Sequence, residues 1–208
     1  VLYCRQEGAR LTVDHHHGTR PTARATTIVC LRHRGCTAMA GDGQVSFGDM
    51  VLKNGAVKIR SLRSGHVLAG FAGAAADAFA LFDRFDQVLE ARDGDLTTAV
   101  VEMAKEWRLD KAMQRLDAIL LVADAQHIYM VSGTGDIIEP DEPLLAIGSG
   151  GPYALAAAKA LLAHAKLDAA SVAREALHIA ADICVYTNHS IQVEVLGKRT
   201  EPTRRKGR

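Results

Sequence analysis

Two hydrophobic periods alternate along this chain. Thr27 to Arg32 is β-branched and apolar, Gly35 interrupts it, and Thr37 to Ala40 resumes it, which predicts a hairpin closed before the Gly41-Asp42-Gly43 turn. Val57 to Ile59 and Val67 to Phe71 predict two further short strands, separated by the turn-forming Ser64-Gly65. The period then changes from 2 to 3.6. Ala78, Phe82, Phe85 and Leu89 recur at helical spacing with Asp77, Asp83, Arg84, Asp86 and Glu90 between them, and Leu96, Val100, Met103 and Trp107 repeat the spacing beyond Asp93-Gly94. These are two antiparallel helices, each with one buried face.

Strand texture returns at Ala118 to Ala123, His127 to Val131, Ile137-Ile138 and Leu144 to Ile147. A helix over Tyr153 to His164 follows the Gly148-Ser149-Gly150-Gly151 break. A fourth helix carries Val172, Ala176, Ile179 and Ile183 behind Asp168 as N-cap, and Ile191 to Leu196 closes with a strand. Two sheets each need cover on one face and two helix pairs supply it. The pattern predicts an α+β fold, a four-layer α-β-β-α sandwich rather than a parallel βαβ array.

The first 25 residues lack this periodicity. Gly8, Gly18, Pro21 and scattered arginines mark residues 1–25 as a flexible leader, followed by one domain over 26–196 and a basic tail over 197–208. The leader has no continuous apolar stretch of the secretory type. The chain of 208 residues is 48% hydrophobic and 24% charged, which suits a globular domain with a substantial core. No apolar run approaches the roughly 20 residues that a membrane-spanning helix needs. The formal net charge of +1 conceals net +2 in the leader, −6 in the body and +5 in the tail. Arg204-Arg205-Lys206 reads as a solvated end, and no nucleic-acid partner is expected from so short a run.

Four cysteines, Cys4, Cys30, Cys36 and Cys184, form no C-x-x-C pair and read as buried reduced thiols of a reducing compartment. His15-His16-His17 lacks spaced companion ligands and reads as part of the leader. Gly148 to Gly151 invites a phosphate-binding reading, because N–H groups at a helix start attract anions. It lacks the G-x-G-x-x-G spacing and no Walker lysine follows, so a nucleotide-binding module stays a minor alternative.

Chemistry concentrates at the junction between leader and first strand. Cleavage after Ala25 leaves Thr26 with a free α-amine beside its own hydroxyl. An α-amine titrates near pH 8 and an unassisted hydroxyl is a poor nucleophile, so one residue supplies both attacker and base. Such a site needs a cation to keep the amine neutral and a carboxylate to hold that cation. Lys58 and Asp42 are the candidates, each spaced 16 residues along from the one before: Thr26, Asp42, Lys58.

Thr26-Thr27-Ile28-Val29, Ala40-Gly41-Asp42-Gly43-Gln44, Lys58-Ile59-Arg60, Ala69-Gly70-Phe71-Ala72-Gly73, Ala76-Asp77-Ala78-Phe79, Ala104-Lys105-Glu106-Trp107-Arg108, Ala146 to Ala154 and Asp182 to Asn188 resemble, in order, the HslV family. These are the proteolytic subunits of a two-component ATP-dependent protease, related to proteasome β-subunits. The resemblance implies the N-terminal-nucleophile hydrolase sandwich and a threonine endopeptidase. By motif, Thr26 matches the nucleophile, Asp42 and Lys58 its supports, Gly70 the oxyanion donor and Ser149 the serine near the threonine.

It also implies a structural sodium ion on backbone carbonyls of Ala181, Cys184 and Thr187, where the family commonly has glycine at position 181. Implied partners are eleven further copies in two stacked hexameric rings, an AAA+ ATPase ring (HslU) that unfolds and feeds protein substrates, and no membrane. ATP is expected to be bound by that partner rather than by this chain. The implied compartment is a bacterial cytoplasm, or a mitochondrial matrix if the Arg-bearing leader is a targeting segment. An uncleaved leader would instead leave a catalytically silent structural ring subunit.

Overall fold

A computed structural model describes residues 23–24, 26–73, 75–110, 118–132 and 134–197. Cys4, His15 to His17, most of the leader and the tail from 198 onward lie outside the described residues. Seven strands precede the first helix: β1 (Ala23–Arg24), β2 (Thr27–His33), β3 (Cys36–Gly41), β4 (Val45–Phe47), β5 (Met50–Lys53), β6 (Ile59–Leu62) and β7 (Val67–Gly73). Helices α1 (Ala75–Ala91) and α2 (Leu96–Leu109) follow, then β8 (Ala118–Ala123), β9 (Ile128–Val131), β10 (Ile137–Ile138) and β11 (Leu144–Gly148). Helices α3 (Gly151–His164) and α4 (Ala169–Ile183) and strand β12 (Gln192–Leu196) complete the described elements.

The strands form two main sheets, ordered β11-β2-β3-β12 and β10-β9-β8-β7-β6, antiparallel throughout. Strand alternation explains the layering. On β2, Ile28 and Cys30 face the second sheet and meet Ile59, Leu68 and Leu121, while Val29 and Leu31 face α3 and α4. On the far face of the second sheet, Ala69, Phe71, Leu120 and Val122 pack against Phe85, Leu89, Met103 and Trp107 of α1 and α2. Three cores separate four layers, the architecture the hydrophobic periods predict. Of the predicted α1 stripe, Phe82, Phe85 and Leu89 are buried; the side chain of Ala78 lies outside the description.

Local chemistry sets the element ends. Arg34 and Gly35 both take positive φ, 51° and 76°, as the two-residue turn between β2 and β3 requires. Asp95 and Asp168 cap α2 and α4 by accepting from Thr98 N and Ser171 N. Cys30, Cys36 and Cys184 are buried free thiols, and burial raises the Cys30 pKa far above the usual thiol range.

Three features depart from the sequence expectation. The strand expected from Val57 begins only at Ile59, and Val57 is left exposed with no layer to bury it. A third small sheet, β1-β4-β5, was not legible from the pattern, because Phe47 and all four residues of β5 are exposed and carry no core-facing period. Finally, the leader reads as flexible up to residue 25, yet Ala23 and Arg24 pair with Phe47 and Ser46 of β4.

Candidate active site

The site assembles where β2 begins, between the ends of β3, β6, β11 and α4. Thr26 is buried immediately before β2. Its carbonyl accepts from Ser149 N at 3.0 Å, so the turn after β11 holds the residue from one side. That turn needs its glycines for clearance. Gly148 sits at φ +88° and a Cβ there would stand 1.7 Å from the Thr26 carbonyl oxygen; a Cβ on Gly150 would stand 2.5 Å from the hydroxyls of both Thr27 and Thr187.

Asp42 holds the same segment from the other side. Its carboxylate accepts four hydrogen bonds: Oδ1 from Thr27 N at 2.8 Å and Lys58 Nζ at 2.8 Å, Oδ2 from Gln44 N at 2.9 Å and Asn188 N at 3.3 Å. The Thr27 carbonyl in turn accepts from Asp42 N at 3.1 Å. One buried carboxylate thus ties the residue after Thr26 to the lysine. Side-chain exposure is 8% for Lys58 and nil for Asp42. Burial lowers the Lys58 pKa from the ordinary lysine range, and the charge of Asp42 and its hydrogen bond partly offset that. A buried pair of this kind contributes little net stability by itself. Its value lies in placing an ammonium where chemistry can use it.

The predicted residues Thr26, Asp42, Lys58 and Ser149 therefore converge through Asp42, Thr27 and the glycine turn. Gly70 does not join them through its amide. Phe71 N donates to Lys58 O at 3.2 Å, so Phe71 turns its polar groups to β6, and by strand alternation Gly70 turns its own to β8, opposite Leu121. The ladder uses the Gly70 N–H. What Gly70 supplies is room between the sheets, since a Cβ there would stand 2.8 Å from Met39 Sδ and 3.0 Å from Ile28 Cδ1. The same alternation points the N–H of Gly73, at φ +139°, toward the β6 edge beyond the start of that strand, the edge that carries Lys58.

Several site residues escaped the sequence analysis. Thr27 Oγ1 lies 2.7 Å from Thr187 Oγ1 and accepts from Gly150 N at 2.9 Å. Asn188 accepts from Gly43 N through Oδ1 and donates through Nδ2 to Asn54 O, lacing the loop after α4 to the loop after β5. Thr27 reads in sequence only as good strand chemistry. The glycine turn did signal a special backbone, but its N–H groups at 149 and 150 are spent on Thr26 and Thr27. A phosphate would find those two amides taken, which removes the basis of the nucleotide-binding alternative.

The candidate sodium ligands lie at the end of α4. Ala181 is in the helix's last turn, and the final carbonyls of a helix lack helical donors. Cys184 O accepts from Thr187 N at 3.0 Å and retains a second lone pair. Hard carbonyl oxygens at the negative end of a helix dipole suit a small cation. Ala181 needs no positive φ, so alanine serves where glycine is usual. Among the described residues no group of three His, Cys, Asp or Glu side chains is arranged to hold a metal.

Residues 22–196 match the proteasome-subunit family. The chain is 56% identical over 173 residues to the ATP-dependent protease subunit HslV of Desulfovibrio desulfuricans, covering 83% of this chain and 98% of that one. It is 58% identical over 175 residues to the subunit of the same name from Geobacillus kaustophilus, covering 83% and 97%. Among solved structures, eukaryotic HslV from Trypanosoma brucei superposes with a TM-score of 0.78 at 41% identity, over 83% of this chain and 99% of that one. Fold, site and ordered motifs agree, and the chain belongs to the proteasome-subunit family, among its HslV members.

Proposed function

We propose that this chain is the proteolytic subunit of an ATP-dependent protease and that Thr26, freed by cleavage of the Ala25–Thr26 bond, is its nucleophile. The observation that carries the reading is the buried Lys58–Asp42 pair at 2.8 Å, with the same carboxylate oxygen bound to the backbone N–H of the residue after Thr26. A surface pair would not be fixed in this way to the start of a strand.

With the leader attached, Thr26 N is an amide and not a base. After cleavage it is an amine beside its own Oγ. The Oγ–H bond breaks as Oγ attacks the substrate carbonyl carbon, and the amine takes the proton. The resulting oxyanion is met by a backbone N–H, for which Gly73 is better directed than Gly70; one such donor is worth roughly 3 kcal/mol in the transition state. The C–N bond then breaks, the ammonium returns its proton to the leaving amine, and an ester to Thr26 remains. Water hydrolyses the ester by the same proton route. The ammonium of Lys58 favours the neutral amine, Asp42 keeps the ammonium in place, and the β-branch of Thr26 restricts its χ1.

Ala23 and Arg24 pair with β4 just upstream of the scissile bond. That antiparallel contact supports recognition of an extended peptide by strand addition on the non-primed side. Relatives named as ATP-dependent protease subunits support an ATPase partner of the HslU kind; delivery of unfolded protein and a double-ring dodecamer are what the sequence resemblance implies. Sodium on the carbonyls of Ala181, Cys184 and Thr187 would fix the loop that brings Thr187 to Thr27, a structural role.

Intact-mass measurement beside a Thr26→Ala variant tests the reading. The parent should lose residues 1–25 and hydrolyse peptides with the ATPase partner. The variant should keep its leader, lose at least about 10⁴-fold in activity, and resist an electrophile that reacts jointly with a hydroxyl and its neighbouring amine. A fully active parent with an intact leader, or labelling of another side chain, defeats the proposal.

A further inference from the structure

Between α4 and the loop that follows it, two imidazoles converge. His178 Nδ1 lies 3.2 Å from His189 Nδ1, with ring centroids 5.5 Å apart and planes 23° apart, so the two rings meet edge to edge through these nitrogens. His178 is half-buried on α4; His189 is exposed on the loop that follows. The second ring nitrogen of His189, Nε2, lies 3.3 Å from Asp182 Oδ1, one helical turn beyond His178. None of these residues takes part in the proposed peptidase chemistry.

From this geometry we infer a two-histidine site for a borderline divalent metal such as Zn²⁺, held between Nδ1 of His178 and Nδ1 of His189, with Asp182 as the carboxylate that orients His189. Two nitrogens bound to one tetrahedral zinc at 2.0–2.1 Å stand about 3.3 Å apart. The two Nδ1 atoms already stand 3.2 Å apart in a direct hydrogen bond, so a turn of both rings, rather than any backbone shift, brings their lone pairs onto one metal. A carboxylate on the remote nitrogen of a ligating histidine keeps the proton on Nε2 and leaves the Nδ1 lone pair toward the metal, the usual outer support of such ligands. In the metal-free pair the contact is a hydrogen bond between the two Nδ1 atoms, which metal binding displaces.

No third protein ligand is present among the described residues, so water completes the coordination. Imidazole donors favour zinc, nickel and copper over sodium, calcium or magnesium. The site is thus chemically distinct from the carbonyl loop proposed for sodium. Its position gives it a consequence. The metal would join the last turns of α4 to the segment that carries Thr187 to Thr27 and Asn188 to Asp42. It acts as a clip behind the active site.

Calorimetric titration with Zn²⁺ tests the inference on the full chain, in a background where His15, His16 and His17 are alanine so that the leader does not compete. One Zn²⁺ should bind per chain. His178→Ala and His189→Ala should each weaken binding at least tenfold, and Asp182→Asn about tenfold. With Cu²⁺ as probe, nitrogen hyperfine structure in the electron paramagnetic resonance spectrum should report two imidazoles in the parent and one in either histidine variant. Hydrogen exchange across residues 184–191 should slow on Zn²⁺ addition in the parent only. His189 is exposed, so its removal does not threaten folding. Unchanged Zn²⁺ affinity in both histidine variants overturns the site, and binding without slower exchange overturns the clip. Peptidase activity enters none of these readouts, so failure here is distinguishable from failure of the proposed function.

Discussion

The two helix pairs cover their sheets with side chains of opposite size. Helices α1 and α2 present Phe82, Phe85, Leu89, Met103 and Trp107 to β7 and β8; helices α3 and α4 present Ala154, Ala158, Ala169, Ala173, Ala176 and Ala180 to β2, β3 and β11. Large side chains bury much apolar area and hold their layers apart, whereas alanine lets helix and sheet approach closely. The alanine half is also where the site lies. Close approach sets the end of α4 so that Thr187 reaches Thr27 at 2.7 Å and Asn188 N reaches Asp42 at 3.3 Å. One half supplies bulk stability, and the other supplies positioning.

After loss of Thr26 itself, the largest effect is expected at the junction of the two sheets. Lys58→Met should lower the rate of peptide hydrolysis 10²- to 10⁴-fold, the usual range for a group that tunes a catalytic base. Asp42 keeps three backbone N–H donors in that variant, so the carboxylate is not stranded and the fold should survive. The alkaline stability profile sharpens this. The folded-state Lys58 pKa is lowered, so between that value and the ordinary lysine range the unfolded chain binds more protons, and stability rises with pH. That rise should be smaller in Lys58→Met when unfolding is followed in denaturant at successive pH values.

Next come variants that exchange the logic of the halves. Trp107→Ala removes the largest fully buried side chain of the bulky half and should cost about 3–5 kcal/mol in thermal or denaturant unfolding. Activity per folded molecule should persist at low temperature. Ala173→Leu adds volume to the close-packed half. It should cost about 1–3 kcal/mol through overpacking and, unlike Trp107→Ala, should also reduce kcat in the folded protein. Equal catalytic losses in the two variants would remove the distinction. The smallest effect is expected outside both cores. Arg84 binds both oxygens of Glu106 at 2.7 Å, yet both side chains are exposed. Arg84→Ala should shift stability by no more than about 1 kcal/mol.

Legibility followed burial and covalent adjacency. Helices α1, α2 and α4 announce themselves because one face of each is apolar, and Asp168 stands at the start of α4. The buried hairpin of β2 and β3 does so through its β-branched residues and Gly35. The exposed β4–β5 hairpin has no buried face, so nothing in the residue pattern distinguished it from a loop. Thr26 stood out as a candidate because, at a boundary in the chain, one residue would carry both hydroxyl and amine. Asp42 and Lys58 were readable as a charge pair that such a residue needs.

Gly70 shows where local reading ends. A motif locates a glycine but does not say which way its amide points; that depends on whether Phe71 or its neighbour faces β6, a matter of register between strands. The pairing of His178 with His189, and of Thr187 with Thr27, likewise depends on how the end of α4 folds back over β2. Composition and period, acting through local hydrophobic burial, determined the layers of this protein and the chemistry available at its first strand. Only tertiary structure decided which backbone amides are free and which side chains meet, because hydrogen-bond direction and contact between residues up to 160 positions apart are properties of packing rather than of neighbouring residues.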